Sequence, residues 1–319
     1  MSEETHSLWI EKYRPQTFDE VKGHTAIVER LRAFVAQKNI PHILLAGPAG
    51  VGKTTIALII TKTLFGENWR QNTLETNASD ERGIDVVREK IKDFARTKAM
   101  GTDLPKIIYL DECDSLTKEA QQALRRTMEQ YSRSARFILS CNYSSKIIDP
   151  VQSRCTVFRF KPLEKHELID IIKSVAKKEN LVLDEKALDA IATISEGDVR
   201  KAENVLQSCS AMGKHITEKT IYEIVSAARP EEVLDVLETA LKKNFIQARD
   251  KLLSTMLRHG LSGIDIIKQI QKEAWNLKVS DESKVAIVEK CGETEFRMVE
   301  GSDEFVQLES LLASISLLQ

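Results

Sequence analysis

The chain is poor in the features that would assign its class by composition alone. No apolar run in its 319 residues approaches the ~18 needed to cross a membrane, and 29% of the residues are charged. The opening stretch MSEETHSLWI is acidic and has no apolar signal region, so secretion is not expected. Five cysteines (113, 141, 155, 209 and 291) are scattered, odd in number and without a CxxC pair. They read as reduced thiols in an intracellular protein rather than a zinc site or a disulfide frame. Excess charge of either sign is missing too: 46 basic residues meet 48 acidic ones, for a net −2. That excludes a polycationic coat protein but permits a local basic field. From residue 229 onward there are 12 basic and 16 acidic residues, leaving 34 and 32 before it, so any nucleic-acid contact is expected in the first two-thirds. There is no internal repeat and no low-complexity tract.

What is present is a 42% hydrophobic chain, long enough for two or three domains. The runs 43–46 (ILLA), 107–110 (IIYL) and 137–140 (FILS) are short, apolar and rich in β-formers, and CTVFRF follows as a further strand. Helical patterns lie between them, at 85–96 and 117–130 for example. Strands alternating with helices predict an α/β domain whose parallel sheet is covered on both faces. The pattern stops near Lys161–Pro162. Residues 164–179, 184–194 and 198–211 then read as helices, with Asp184 as an N-cap and Gly197 and Gly213 as breaks. A second seam falls at Ala228–Arg229–Pro230, beyond which 231–318 are helical almost throughout. The expected domains are 1–161, 162–228 and 229–319.

The stretch GPAGVGKT at 47–54 fits G-x-x-x-x-G-K-[ST] between a strand and a helix. Backbone amides of Gly47, Pro48, Ala49, Gly50, Val51 and Gly52, so far as each carries one, can turn toward phosphate oxygens at the positive end of that helix, with Thr55 just inside it. Lys53 is expected on the β- and γ-phosphates of ATP, and Thr54 on magnesium. IIYLDECD supplies a partner: Asp111 leaves a buried strand as a second magnesium residue, and Glu112 follows as the base that polarises water. Asn142, after FILSC, suits orienting that water or touching the γ-phosphate, though asparagine also forms turns. Arg200, in EGDVRKAEN, begins a helix and either reaches the same phosphate or lies on the surface. Arg154, in PVQSRCTVFRF, has no acidic neighbour in sequence and reads as a solvated charge, a phosphate clamp or half of a shared site.

WIEKYRP (9–15), FDEVKGH (18–24), GPAGVGKTT (47–55), NASDERGIDVVR (77–88), LDECD (110–114), CN (141–142), SRC (153–155) and GDVRKAEN (198–204) together resemble the small subunits of replication factor C, the AAA+ clamp loaders of archaea and eukaryotes. The likeness spans nearly the whole chain and looks closer to the archaeal version. WIEKYRP with SRC is the most specific part, and LDECD departs from the usual DEAD by carrying Cys113. The resemblance implies an AAA+ P-loop ATPase domain, a small helical lid and an all-α collar that assembles a pentameric ring of small subunits and one large subunit. It implies that Arg154 is an arginine finger acting in trans, that Arg200 is a second sensor, and that Tyr13 and Arg14 line the adenine and phosphate side of the pocket. Arg82, Arg88 and Lys146 are implied contacts to the backbone of primer–template DNA, and segment 94–101, with Phe94 and Met100, a contact to a PCNA-type sliding clamp. The implied compartment is the archaeal cytoplasm or the eukaryotic nucleus. Two other readings compete. One is a different AAA+ DNA ATPase, for branch migration or origin loading; the other is a non-hydrolysing structural subunit or checkpoint adaptor.

Overall fold

The structure is a computed structural model that describes residues 8–79 and 84–318, without the side chains of 84–88. It divides into two compact units, Met1–His215 and Ile216–Gln319. No helix among the described residues is long and apolar enough to cross a membrane.

The first unit is built on five strands, β1 (Ile43–Ala46), β2 (Thr73–Asn77), β3 (Lys106–Asp111), β4 (Ala135–Cys141) and β5 (Thr156–Arg159). All pair in parallel, in the order β2-β3-β4-β1-β5. Alternation along the strands supplies both faces. Ile43, Leu45, Ile107, Tyr109 and Ile138 join one core with α1 (Thr25–Ala36) and α2 (Lys53–Phe65). Leu44, Ala46, Ile108, Leu110, Phe137 and Leu139 join the other with α3 (Ile84–Arg96) and α4 (Lys118–Gln130). Strands buried on both sides must be largely apolar, and in ILLA and IIYL the one polar side-chain group is the Tyr109 hydroxyl, which finds a partner in Asp111.

The expected strands form, each within two residues of its expected end, and so do the helices at 85–96 and 117–130. β2 was not expected. Its sequence, TLETN, is mostly polar, and it lies at the sheet edge, paired only with β3. Three further helices follow in this unit: α5 (Lys165–Lys178), α6 (Glu185–Ser195) and α7 (Val199–Ser210). Asp184 caps α6 as expected, accepting from the Ala187 N–H at 2.6 Å. Asp198 caps α7 in the same way, accepting from Lys201 N–H at 2.9 Å. Each such cap stabilises its helix by about 1 kcal/mol.

The second unit is helical: α8 (Glu218–Val225), α9 (Pro230–Leu241), α10 (Phe245–His259), α11 (Gly263–Glu273), α12 (Asp281–Val299) and α13 (Glu304–Ser316). Its core gathers Val236, Leu237, Leu252, Ile266, Ile287 and Leu311.

Candidate active site

The site forms where three neighbouring strands end. Ala46 of β1 is in register with Cys141 of β4, and Leu139 of β4 with Leu110 of β3. The residues that follow, Gly47, Asn142 and Asp111, therefore emerge side by side. Open parallel sheets bind ligands at this carboxyl edge. The Gly47 N–H donates to the Cys141 carbonyl at 3.1 Å, fixing the start of the 47–52 loop against β4. The loop then delivers Lys53 to the first turn of α2, where the unpaired backbone N–H groups give the helix its positive end.

Lys53 is only 8% exposed, and its Nζ donates to the carbonyls of Gly47 (2.6 Å) and Pro48 (2.7 Å) and to Asn142 Oδ1 (3.0 Å). All three acceptors are neutral. Burial pushes the ammonium pKa down, while Asp111 pulls it up. A buried cation solvated only by dipoles is suited to an anion, and the six-residue loop around it fits phosphate.

Asp111 gathers donors. Its Oδ2 accepts from Tyr109 Oη at 2.7 Å and Thr54 Oγ1 at 3.0 Å, and its Oδ1 from the Glu112 N–H at 2.9 Å. Burial works to raise its pKa, but these hydrogen bonds outweigh it and hold the carboxyl below the ordinary value. A hydroxyl and an ionised carboxylate 3.0 Å apart beside a phosphate loop fit magnesium, which takes one or two protein oxygens and fills its shell with phosphate and water. Among the described residues no group of three or more His, Cys, Asp or Glu could hold a metal by itself. Glu112 adopts φ 52°, ψ 39°, a left-handed conformation rare outside glycine, and this bend sets it in the cavity wall. Cys113 turns the other way: it is buried in the core with its Sγ on the Leu110 carbonyl, and does not line the cavity.

These residues border a cavity of about 470 Å³. Its wall holds Ala49 to Thr55 of the loop and helix start, Asp111, Glu112, Asn142, Tyr13, Arg14 and Arg200. The Tyr13 hydroxyl is tied to Glu179, at the end of α5, and the Lys12 and Lys178 ammoniums each stand 5.2 Å from its ring centre. Arg200 lies near enough to Lys53 to lower that pKa further. The start of α7 rests directly on the loop: the Val199 N–H donates to the Gly50 carbonyl at 3.1 Å. A Cβ on Gly50 (φ +70°) would stand 1.7 Å from Asp198 Oδ1, so only glycine allows this approach.

Other expected site residues lie elsewhere. Arg154 does not line the cavity; its guanidinium is paired with Glu129 of α4 and donates to the Pro150 carbonyl at 2.7 Å. Lys146 is exposed on a short turn, 5.1 Å from the centre of the Tyr143 ring. Arg82 lies outside the described residues, as does the Arg88 side chain. Phe94 packs against the core under the Lys106 ammonium, whereas Met100 is 60% exposed with its backbone held by Asn72. Sequence reasoning missed Asp198, Val199, Ile171, Lys178 and Glu203. The only signal for them was their spacing around Arg200 and along α5.

Residues 43–163 match the family model described as ATPase family associated with various cellular activities (AAA). Residues 170–211 match the RCF1/5-like AAA+ ATPase lid domain, and 228–314 the replication factor C C-terminal domain. The chain is similar to the replication factor C small subunit of Methanococcus maripaludis strain C7, 52% identical over 311 residues, covering 98% of this chain and 99% of that one. It is similar also to the replication factor C small subunit of Archaeoglobus fulgidus, 51% identical over 315 residues, covering 99% of each. Among solved structures it resembles the Thermotoga maritima RuvB Holliday junction branch migration motor, with a TM-score of 0.56 and 21% identity over 72% of this chain and 79% of that one. That last likeness concerns the fold alone.

Proposed function

The chain belongs to the replication factor C small-subunit family, and from that premise we propose that it is an ATP-hydrolysing clamp-loader subunit that opens a PCNA-type sliding clamp and places it on primer–template DNA. In this reading residues 1–161 bind nucleotide, 162–228 form the lid and 229–319 the collar, within a ring of small subunits and a large subunit. Its place is with the chromosome, in archaeal cytoplasm or a eukaryotic nucleus. The observation that carries it is the meeting of Lys53, Thr54, Asp111, Glu112, Asn142 and Arg200 around one cavity whose loop is bonded to α7.

Lys53 exchanges its carbonyl partners for the β- and γ-phosphates. Thr54 and Asp111 would hold magnesium, which would supply positive charge to stabilise the charge that develops during phosphoryl transfer. Glu112 polarises the attacking water, and Asn142, already on Lys53, holds it in line. Arg200 reports the γ-phosphate to α7 and the lid. Arg154, outside its own cavity, suits a neighbour's phosphate, where a guanidinium in trans accelerates transfer. Arg82, Arg88 and Lys146 follow DNA phosphates, and the 94–101 segment, with Met100 exposed, meets the clamp. ATP binding then favours clamp and DNA, and hydrolysis releases them through the difference in affinity between nucleotide states.

The test is ATP turnover by the chain with its large subunit, with and without primer–template DNA and a sliding clamp. Stimulation by the primed junction that rises again with clamp is expected; stimulation by DNA that ignores the clamp would point to another DNA motor. Lys53→Ala and Arg154→Ala should each be weak ATPases, and mixed assemblies should regain activity where an intact loop meets an intact Arg154. Mixed rings that stay inactive would refute the action in trans.

A further inference from the structure

Part of the cavity wall is made by chain that belongs to neither the sheet nor a long helix. Ile10, Tyr13, Arg14 and Pro15 border the same cavity as the 49–55 loop. The helical turn that precedes them, Trp9–Lys12, has four residues and cannot hold itself in place. Its position comes from three hydrogen bonds to the lid helices. The Trp9 N–H donates to Gln207 Oε1 of α7 at 3.0 Å. Just past the end of α5, one carboxylate oxygen, Glu179 Oε1, accepts from Lys12 Nζ at 2.7 Å and from the Tyr13 hydroxyl. The chain then joins the sheet side: Lys62 Nζ of α2 donates to Gln16 Oε1 at 2.5 Å, and Phe18 enters the core shared with α1 and α2. Arg14 and Pro15 are the span between the two anchorages.

The two bonds to Glu179 differ in strength. The Lys12 and Glu179 side chains are 39% and 21% exposed, so their ion pair contributes little. Burial pushes the Tyr13 pKa up, and the bond to Glu179 pushes it further. Burial also works to raise Glu179, but the bonds from Lys12 and Tyr13 outweigh it and hold the carboxyl below its ordinary value. Near neutrality a protonated hydroxyl therefore donates to an ionised oxygen, the stronger class of hydrogen bond.

We propose that Glu179 is a positioning residue for the nucleotide, holding the Tyr13 hydroxyl so that segment 9–15 stays docked as a wall of the empty cavity. A wall that is in place for only a fraction of the time weakens binding by that fraction. Lys53, Asp111, Glu112 and Asn142 leave from α2 and the sheet edge, so the effect falls on affinity and not on turnover of bound ATP.

This inference rests on the ATPase reading, and one set of variants separates the two. Dissociation constants for ATP with magnesium are measured by calorimetry on the full chain. Turnover at saturating ATP is measured with the large subunit, primer–template DNA and clamp. Glu179→Ala and Tyr13→Phe should each weaken ATP about 3- to 10-fold, the worth of one such hydrogen bond, with kcat within about twofold. The double variant should be no weaker than either single one. Glu179→Gln keeps an oxygen that accepts from the hydroxyl and should keep most of the affinity; Lys12→Ala should stay within about twofold. Trp9, 8% exposed when docked, reports the segment directly once Trp69→Phe and Trp275→Phe make it the sole tryptophan. Without nucleotide its emission in Glu179→Ala should lie to the red of the same chain with Glu179, and return with ATP. Unchanged affinity in both single variants, additive losses, Glu179→Gln as weak as Glu179→Ala, or a kcat loss as large as the affinity loss overturns the proposal alone. A natural chain that binds no ATP overturns the ATPase reading with it.

Discussion

The contact between Gly50 and Asp198 can be tested by a substitution that adds one carbon. In Gly50→Ala the new Cβ falls 1.7 Å from Asp198 Oδ1 and 2.1 Å from its Cγ, at φ +70°. The left-handed conformation alone costs alanine about 1–2 kcal/mol. Asp198 must also swing away, losing the cap it makes to Lys201 N–H, about 1 kcal/mol. If α7 lifts off the loop, the Val199–Gly50 hydrogen bond is lost for about 1 kcal/mol more. The expected total is about 3–4 kcal/mol. Gly52→Ala is the control: it is left-handed, with φ 94° and ψ 11°, and no atom lies within 4 Å of the added Cβ, so only the conformational cost of about 1–2 kcal/mol applies. Asp198→Ala removes the obstacle, and in that background Gly50→Ala should fall to the same value as the control. Urea unfolding reads all of this by tryptophan fluorescence in a Trp275→Phe background, which leaves Trp9 and Trp69 in the first unit as reporters. Equal costs for Gly50→Ala and Gly52→Ala, or strict additivity with Asp198→Ala, would refute the packing argument.

Lys53→Met should leave the nucleotide-free protein within about 1 kcal/mol of its natural stability, since the buried ammonium it removes is paired only with neutral oxygens. Thermal unfolding should then lose its dependence on ATP, which for the natural chain is worth about 2.7 kcal/mol at a hundredfold excess over Kd. Glu203→Gln should stabilise the protein in a pH-dependent way. The folded pKa of about 7 lies above the ordinary 4.5, so the natural chain pays no penalty below pH 4.5 and an increasing one as pH rises to 7. Arg14 and Glu11 act on this carboxyl, and Arg200 and Lys178 share its cavity; the gain should reach up to about 3 kcal/mol at pH 8, measured by urea unfolding across that range. Replacing Arg82, Arg88 and Lys146 with glutamine should reduce the slope of log affinity for DNA against log salt by about 0.9 for each phosphate contact removed. An unchanged slope would take these residues off the DNA.

Much of this was legible because the loop and the two strand ends are written in contiguous residues. GPAGVGKT and LDECD each carry a strand end and the chemistry that leaves it, and parallel register brings them together with Asn142. β2 was hidden because an edge strand with polar faces has no apolar signature. Glu203 was hidden for another reason: a glutamate at a helical position reads as solvated, and only the packing of α7 against the N-terminal segment turns it inward. The same holds for Asp198, whose approach to position 50 leaves no mark in the sequence.

In the proposed action in trans, the pairing of Arg154 with Glu129 makes engagement of a neighbour's phosphate an exchange reaction rather than a simple gain. One charge contact opens for each one that closes, so added salt weakens both sides and its effect largely cancels. Glu129 is not stranded by the exchange, because Arg125 Nη1 already donates to the same carboxylate oxygen at 3.3 Å. The cost of releasing Arg154 is thereby kept low, and its rest position is defined before any neighbour arrives.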